Sequence, residues 1–364
     1  MQIGILTYYG VHNHGAVLQA NGLKKVLQSL GHDVQFLTFE RSYEYISSEQ
    51  EKKYKISLKS IPFYTKYMMQ KGIGNIWFNF QKRNRLKTFR NENFDLTTSA
   101  SEFGGDAVVI GSDEVFSLEI GYNPCMYGYD IHAKKIISYA GSFGPTTIDE
   151  IQKKGKESLI RNGFLHHFNA ISVRDFNSKA IVQTLCQKDA AMVCDPVILY
   201  GYKKEMDFFK PREKDYLLVY AYDNRMNDPD EIQYIKAYAN KHHLKVYSVG
   251  FYHDWCDKCI PASPIELLGW IRNAGLVVTD TFHGSVLSII CNTPLAVKLR
   301  DNSNKLRYLL HEYGLENRIM ENFKMLESVA TMPLNFAEAN RLLDEKRHES
   351  LNFIQDAIGE QVND

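Results

Sequence analysis

Apolar runs of strand length alternate with amphipathic segments of helix length along most of the chain, and this alternation limits the fold more than any other feature. The first forty residues read IGILTYY, then the loop GVHNHG, then AVLQANGLKKVLQSLG, then HDVQFLTF. The third segment carries an apolar stripe at helical spacing and stops at Gly31, a usual C-terminal capping residue. This pattern predicts a βαβ unit, which requires a parallel sheet.

The alternation continues in two series that a polar linker at residues 201–215 separates. In the first series, runs such as DAVVIGS and KIISYAGSFG end in Gly and Ser, as strands buried on both faces do. In the second, DYLLVYAY, LKVYSVGF, GLVVTD and TPLAVKL alternate with helical segments. We therefore expect two Rossmann-like, doubly wound α/β domains facing a cleft, at residues 1–200 and 216–335, and a C-terminal helix at 336–364.

Length and composition agree with a soluble two-domain protein. The 364 residues are too many for one ordinary core, and 44% of them are apolar and 24% charged. The chain starts on a strand-like run and contains no eighteen consecutive apolar residues, so we expect a cytoplasmic protein. Cys256 and Cys259 form a CxxC without a second pair at zinc-ribbon spacing, so we expect no metal.

Charge is distributed unevenly, although the formal net charge is zero. From Lys52 to Arg90 there are eleven Lys or Arg and no Asp or Glu, interleaved with aromatic residues. The sequence predicts a basic helical insertion at residues 52–90 of the first domain. The insertion either packs on that domain or makes peripheral contact with an anionic membrane. We expect no nucleic acid among the partners.

The loops that follow strands are where an open parallel sheet binds its ligands. Here those loops are GVHNHG, GSDEVF, SVRD, TDTFHG and KLRDN. No GxGxxG follows the first strand and no GxxxxGK[ST] occurs, which disfavours a dinucleotide oxidoreductase and a P-loop NTPase.

His283 follows a strand and precedes a predicted helix that starts at about Ser285. Free backbone N–H groups and the positive end of the helix dipole make such a junction an anion site. Thr281 lies close in sequence, and the next strand ends with Lys298 and Arg300. This set of residues favours a phosphate or carboxylate site over a histidine that merely packs there.

Arg174 and Asp113 also follow strands, and each has two interpretations. The guanidinium of Arg174 could bind a carboxylate or phosphate bidentately, or form an ordinary salt bridge with Asp175 or Asp195. Asp113 could be a general base or accept a sugar hydroxyl, or it could cap the next short helix.

His12, Asn13 and His14 lie in the first loop. No carboxylate or cysteine stands at a spacing that would complete a metal site with the two histidines, so we expect substrate contact or a plain polar loop.

Six segments resemble the polysaccharide pyruvyl transferase family, in order and over about residues 3–300. They are ILTYYGVHNHGAVLQANGL, DAVVIGSDEVF, KKIISYAGSFG, ISVRD, VCDPVIL and AGLVVTDTFHGSVLSIICNTPLAV. The resemblance implies a two-domain fold similar to the glycosyltransferase-B arrangement. It also implies phosphoenolpyruvate as donor, on the second domain, and a sugar acceptor on the first.

The chain departs from the family pattern at two positions. Many members have an arginine where this chain has Thr281, and many have a tryptophan where it has Phe116. The first departure removes one expected anion ligand, so Arg300 or backbone amides of the following helix would have to serve.

From the residues and the resemblance together we expect pyruvyl transfer to a surface polysaccharide or lipid-linked glycan precursor, at the inner face of the cell membrane and without a cofactor. His283 and Asp113 are the expected catalytic residues. The expected substrate-binding residues are Arg174, Lys298, Arg300, Thr281, Ser285, His12, Asn13 and His14. A nucleotide-sugar glycosyltransferase of the same fold and a non-catalytic glycan-binding protein are the alternatives.

Overall fold

Two parallel β-sheets organise the part of the chain that the computed structural model describes, residues 1–42, 44, 61–300 and 304–359. The strands of the first sheet are β1 (Gln2–Leu6), β2 (Asp33–Thr38), β3 (Thr98–Ser99), β4 (Ala107–Ile110), β5 (Lys135–Gly141), β6 (Ala170–Val173) and β7 (Ala191–Met192). Those of the second are β8 (Tyr216–Tyr220), β9 (Lys245–Val249), β10 (Lys258–Ile260), β11 (Leu276–Thr279), β12 (Leu295–Lys298) and β13 (Ile319–Met320).

The strand order is that of two doubly wound domains, which confirms the predicted fold class. The orders are β3-β2-β1-β4-β5-β6-β7 and β10-β9-β8-β11-β12-β13, and the pairs are parallel. The direction of winding reverses between β1 and β4 in one sheet and between β8 and β11 in the other. The carboxyl ends of these four strands therefore border the crevice where such sheets bind ligands.

Helices flank both sheets. In the described residues they are α1 (His14–Ser29), α2 (Ile61–Asn93), α3 (Ile148–Lys153), α4 (Glu157–His166), α5 (Phe176–Cys186), α6 (Pro196–Tyr200), α7 (Pro229–Lys241), α8 (Pro264–Arg272), α9 (Phe282–Ile290), α10 (Asn304–Glu312), α11 (Leu326–Thr331) and α12 (Phe336–Ile358). Helix α2 is interrupted at Gly72, whose φ of 75° and ψ of 159° are not helical.

One apolar cluster joins the two domains. Val17 and Leu18 of α1 belong to it together with Leu267 of α8 and Leu287 of α9. Helix α1 also packs closely on α6, where a Cβ on Gly22 would come within 2.8 Å of the carbonyl oxygen of Pro196. Burial of this shared surface holds the two sheets in a fixed arrangement around the crevice.

The C-terminal helix α12 crosses back to the first domain. Lys135 of β5 donates from Nζ to the carbonyl oxygen of Ile358 at 2.7 Å. The N–H of Cys194 donates to Oγ of Ser350 at 2.9 Å. The first domain is thus closed by the last helix of the described chain.

The predicted basic insertion corresponds to helix α2, while its residues 52–60 lie outside the described residues. Beyond Gly72 the helix buries Leu86 and Phe89 in the shared apolar cluster. Among the described helices, none is long and apolar enough to cross a membrane.

Candidate active site

A cavity of about 410 Å³ lies between the two domains, at the carboxyl ends of the central strands. The first domain contributes Val11, Asn13, Ala16, Asp113, Glu114 and Arg174 to its wall. The second contributes Tyr220, Tyr222, Arg225, Phe251, Asp280, Thr281, Phe282, His283, Arg300, Lys305 and Leu306. This volume lies near the lower end of the range for small-molecule sites, about 300–1,000 Å³.

Arg174 is held between two carboxylates on the first domain's side of the cavity. Its Nη1 donates to Oδ2 of Asp195 at 2.8 Å and its Nη2 to Oδ1 of Asp113 at 2.7 Å. Burial alone would lower the pKa of Arg174, but the two carboxylates raise it. Nε is buried without a partner among the described residues, and the guanidinium lies 4.9 Å from the ring centroid of Phe282. Arg174 is therefore a fixed cation whose outer nitrogens are already occupied.

Asp113 lies three residues after the end of β4, in a constrained backbone. Its φ of 77° lies in the left-handed region, which non-glycine residues seldom adopt. Burial would raise the pKa of Asp113, but the charges of Arg174, His283 and Lys305 hold it below its usual value. Oδ2 has no hydrogen-bond partner in the described chain. An ionised carboxylate with a free oxygen can accept a hydrogen bond from a ligand hydroxyl.

His283 is the second residue of helix α9, so this helix begins earlier than the sequence predicted. Oγ1 of Thr281 caps the helix by accepting from the N–H of Gly284 at 2.9 Å. The N–H groups of Phe282 and His283 find no acceptor among the described residues. Two free N–H groups at the start of a nine-residue helix form a site for an anion.

The imidazole of His283 reaches the carboxylate of Asp195 across the domain boundary. Nε2 lies 3.6 Å from Oδ2 of Asp195, longer than a hydrogen bond but close enough for attraction. Burial would raise the pKa of Asp195, whereas His283 and Arg174 lower it. Asp195 also accepts from the N–H of Val197 and so caps helix α6. One buried carboxylate thus holds Arg174 and lies beside His283, whose Nε2 has no hydrogen-bond partner among the described residues.

Cations of the second domain form the opposite wall. Arg300 donates from Nε to Oδ2 of Asp280 at 2.9 Å and from both terminal nitrogens to Glu231. Nη1 of Arg225 stands 3.8 Å from the same Oδ2 of Asp280. Lys305 bridges the domains by donating to Oε1 of Glu114 at 2.7 Å. Arg225 is the most loosely paired of these three cations and the one that an anionic ligand could recruit at least cost.

Asp280 is unusual within this wall. Its side chain is buried, and Oδ1 has no hydrogen-bond partner in the described chain. Burial raises the pKa of Asp280, although Arg300 and Arg225 oppose the shift. A buried oxygen without a donor is costly unless a ligand or water supplies one.

Of the ten residues predicted for the site, six line the cavity: Asn13, Asp113, Arg174, Thr281, His283 and Arg300. The other four do not. The ammonium of Lys298 donates to the carbonyl oxygen of Glu321, and Ser285 is fully buried with Oγ donating to the carbonyl oxygen of Thr281. His12 accepts from Nε of Arg83 at 3.2 Å.

His14 belongs to the contact between the domains. Its fully buried ring makes a 2.7 Å hydrogen bond from Nε2 to the carbonyl oxygen of Ala262, while Nδ1 has no partner among the described residues. Burial and the charge of Lys82 lower the pKa of His14 to about 3. The first-loop motif therefore joins the two domains through His14 and faces the cavity through Asn13.

Sequence reasoning missed Glu114, Tyr222, Arg225 and Lys305. Tyr222 and Arg225 follow β8, so the rule that selected the other post-strand loops would also have selected theirs. Glu114 adjoins Asp113 in the GSDEVF loop. Lys305 lies in the first turn of α10, where no strand end marks it. Among the described residues, no group of three or more His, Cys, Asp or Glu side chains is placed to hold a metal.

Comparisons with known proteins agree with this architecture. The sequence model of the family described as polysaccharide pyruvyl transferase matches residues 13–302. The S. aureus MnaA–UDP complex is similar in structure, with a TM-score of 0.50 and 10% identity over 98% of this chain and 96% of that chain. A Listeria monocytogenes protein described as a putative UDP-N-acetylglucosamine 2-epimerase has a TM-score of 0.50 and 11% sequence identity, over 96% of this chain and 90% of that chain.

The spinosyn rhamnosyltransferase SpnG gives a TM-score of 0.47 and 11% identity over 98% and 99% of the two chains. At such identities the likeness extends to the fold alone. The two structures with a TM-score of 0.50 and the two parallel sheets confirm the predicted glycosyltransferase-B-like arrangement. No curated protein matches the chain.

The close approach of Gly15 to His283 gives a first testable prediction. A Cβ on Gly15 would stand 2.2 Å from Cγ of His283 and 2.5 Å from its Cβ. Gly15→Ala should therefore destabilise the fold by about 1–3 kcal/mol, as overpacking does. Denaturant unfolding measures the loss. Gly10→Ala is the control, because a Cβ there meets nothing within 4 Å. Equal stability of the two variants would contradict the contact.

A second prediction concerns acid stability. The pKa of His14 is about 3 in the folded protein and 6.5 in the unfolded chain. Between these two pH values the unfolded state therefore binds a proton that the folded state does not bind. Stability should fall as the pH drops below 6.5, by about 2 kcal/mol at pH 5 for this residue. Denaturant unfolding at pH 7 and pH 5 should show a smaller difference for His14→Gln than for the wild type. His132 is exposed, so His132→Gln should show the same difference in stability between pH 7 and pH 5 as the wild type. An equal difference in all three proteins would contradict the role of His14.

Proposed function

The chain belongs to the polysaccharide pyruvyl transferase family, and on that premise we propose that it transfers pyruvyl from phosphoenolpyruvate to a sugar of a surface polysaccharide or lipid-linked glycan precursor, forming a pyruvate ketal. The observation that carries the proposal is the charged cavity between the domains. It combines three cationic side chains of the second domain with the open N-terminus of α9. Phosphoenolpyruvate carries a phosphate and a carboxylate on one small carbon frame, which matches these two kinds of anion ligand.

We assign the phosphate of the donor to the start of α9. The free N–H groups of Phe282 and His283 and the helix dipole would hold it there. Arg225, Arg300 and Lys305 would then bind the carboxylate of the donor. In the free protein these three cations pair with side-chain carboxylates. Lys305 replaces Lys298 in this assignment, and these cations serve where many family members use an arginine at position 281.

The reaction requires a proton at C3 of phosphoenolpyruvate and two sugar hydroxyls at C2. We propose that His283 delivers the proton, which makes C2 oxocarbenium-like. The first hydroxyl oxygen bonds to C2 and its proton passes to Asp113. The C2–O bond to phosphate then breaks, and the second hydroxyl oxygen takes its place. Of the two hydroxyl protons, one replaces the proton given to C3 and the other leaves with hydrogen phosphate.

Arg174 acts in this scheme by positioning, not by binding the donor. It holds Asp113 beside the cavity and keeps it ionised, and through Asp195 it is linked to His283. Its removal would deprive the partly buried Asp113 and the buried Asp195 of their shared cation, and breaking a buried ion pair costs about 3–5 kcal/mol in comparable cases. His283 is therefore the better residue with which to test the chemistry.

Donor identity is tested by ligand-induced stabilisation. Phosphoenolpyruvate and inorganic phosphate should raise the thermal midpoint, since a ligand at 100 times its Kd adds about 2.7 kcal/mol. Phosphate should also compete with phosphoenolpyruvate. A nucleoside diphosphate should not displace phosphoenolpyruvate. Stabilisation by UDP and none by phosphoenolpyruvate would favour a nucleotide-sugar glycosyltransferase. The structural similarity to the MnaA–UDP complex is the reason for testing this alternative.

Turnover tests the role of His283. His283→Ala should reduce pyruvyl transfer roughly 30-fold or more, because losing a charge-assisted contact to a buried anion costs about 2–5 kcal/mol. His311→Ala is the matched control, since its side chain is 72% exposed and lies outside the cavity wall. Normal turnover of His283→Ala at saturating donor would remove this residue from the site. Donor binding without any transfer by the wild type would instead indicate a glycan-binding protein.

We also propose peripheral contact of helix α2 with an anionic membrane surface at the inner face of the cell membrane. Its support is an exposed apolar stripe beside the basic segment: Ile73, Trp77 and Phe80 are 87%, 60% and 53% exposed. Lys82 and Arg85 contact the second domain, so they are poor probes of lipid binding.

Sedimentation with phosphatidylglycerol vesicles tests the contact. The wild type should sediment at low salt and less at high salt, and Trp77→Ser with Phe80→Ser should weaken the binding, because each buried aromatic side chain contributes about 1.5–3 kcal/mol. Phe208→Ser is the control, since Phe208 is 73% exposed elsewhere on the surface. Equal recovery of all three proteins with vesicles would contradict the contact.

A further inference from the structure

Helix α2 crosses from the first domain to the second beside the mouth of the cavity. The ring of Phe78 lies 5.6 Å from that of Tyr252, and Arg85 forms an ion pair with Glu266. Farther along, Phe89 packs in the apolar cluster and Arg90 donates from Nη1 to the carbonyl oxygen of Val11 at 2.9 Å. The basic face of this helix is therefore fixed relative to the cavity, whose wall includes Val11.

Three cations of α2 converge there on His12, and we call Lys82, Arg83, Arg90 and His12 the rim cluster. Nε of Arg83 donates to Nε2 of His12 at 3.2 Å. Partial burial, followed by the charges of Arg83, Arg90 and Lys82, lowers the pKa of His12 to about 4, so its ring is neutral. Because Nε2 accepts, the proton of the neutral ring is on Nδ1, which remains a donor.

The rim cluster lacks the carboxylates that balance cations elsewhere in this protein. Arg83 is bonded to a neutral ring and Arg90 to a backbone carbonyl. Burial and the charge of Arg83 lower the pKa of Arg90, which reflects repulsion between like charges. In the described chain, none of the three cations has an acidic oxygen within 4 Å. Within the described residues the positive charge of the rim cluster is therefore not balanced by an ion pair, and an anionic ligand could balance it.

Lys82 is the most buried cation of the rim cluster and has no acidic partner within ion-pair distance in the described chain. It is 5% exposed, and its Nζ lies 4.3 Å from the ring centroid of Phe251, which lines the cavity. No hydrogen bond or ion pair to a described residue satisfies this ammonium. Asp223 is the carboxylate that influences it, from beyond ion-pair distance, while its own Oδ1 accepts from the N–H of Tyr252. The ring of Phe251 is thus the main contact of a largely buried ammonium, and this arrangement favours a ligand that supplies an anion.

We propose that the rim cluster binds the phosphate or diphosphate group of the sugar acceptor. The inference rests on the proposed function, because it places an acceptor beside the donor cavity. The rim cluster and the cavity share a wall at Val11, Asn13 and Phe251. A sugar attached to a phosphate held at the rim would extend into the cavity towards Asp113. A diphosphate carries enough charge to meet three cations and the Nδ1–H of His12 at once.

Calorimetric titration of the full chain with inorganic pyrophosphate, with phosphoenolpyruvate saturating, tests the site. Lys82→Met and Arg83→Gln should each lose at least about tenfold in affinity for pyrophosphate, the effect of one lost charge-assisted contact. Lys87→Gln, an exposed position on the same helix, should stay within about twofold. Lys82→Met keeps the packing over Phe251 and removes a buried charge, so its thermal midpoint should stay level or rise. Arg83 is exposed and its variant should fold normally.

Geranyl diphosphate and phosphatidylglycerol vesicles distinguish the sources of the phosphate. Geranyl diphosphate should follow pyrophosphate through all variants, and vesicle binding should be unchanged in Lys82→Met. Loss of vesicle binding in Lys82→Met, with no binding of soluble pyrophosphate, would overturn the site in favour of lipid headgroups. Displacement of pyrophosphate by phosphoenolpyruvate would place it in the donor cavity and also overturn the proposal. If phosphoenolpyruvate itself does not bind, the proposed function fails, while the ranking of the variants with pyrophosphate still decides the rim cluster.

Discussion

A buried arginine shared by two carboxylates is the interaction on which the site depends. Arg174 fixes Asp113 after β4 and Asp195 at the start of α6, and Asp195 in turn lies against His283 of the other domain. Arg174 and the two carboxylates stabilise one another's charges, because burial alone would oppose all three. The network therefore fixes the geometry of the first domain's half of the cavity and places a negative charge beside the imidazole from the second.

The contact between the domains also restricts the position of His283. Gly15 leaves just enough space for the ring of His283, and the neighbouring His14 donates to the carbonyl oxygen of Ala262. An imidazole that is packed closely loses little freedom when a ligand binds, and such preorganisation would favour the catalytic role that we propose for His283. Among the cations of the second domain, Arg225 is held least tightly, at 3.8 Å from Asp280. In the proposed reaction, the carboxylates that pair with these cations would be replaced by the anionic groups of the donor.

Much of the fold could be predicted from the sequence because its signals are local. The helix at residues 176–186 and the one that starts at Pro229 follow directly from apolar periodicity. Strands of two residues, such as β3 and β13, have no such signal, since they exist only through pairing with a neighbour. His283, Asp113 and Arg174 were recognisable because each comes shortly after the end of a strand. Lys298 was wrongly predicted to bind substrate, because the sequence does not reveal that β13 lies beside β12. The ammonium of Lys298 donates there to the carbonyl oxygen of Glu321.

The structure of the protein with phosphoenolpyruvate bound tests the central claim most directly. The account predicts density for the phosphate within hydrogen-bond distance of the N–H groups of Phe282 and His283, at the start of α9. It predicts the carboxylate between Arg225, Arg300 and Lys305. Density for the donor only beside Asp113, with the start of α9 empty, would move the donor to the first domain and contradict the assignment.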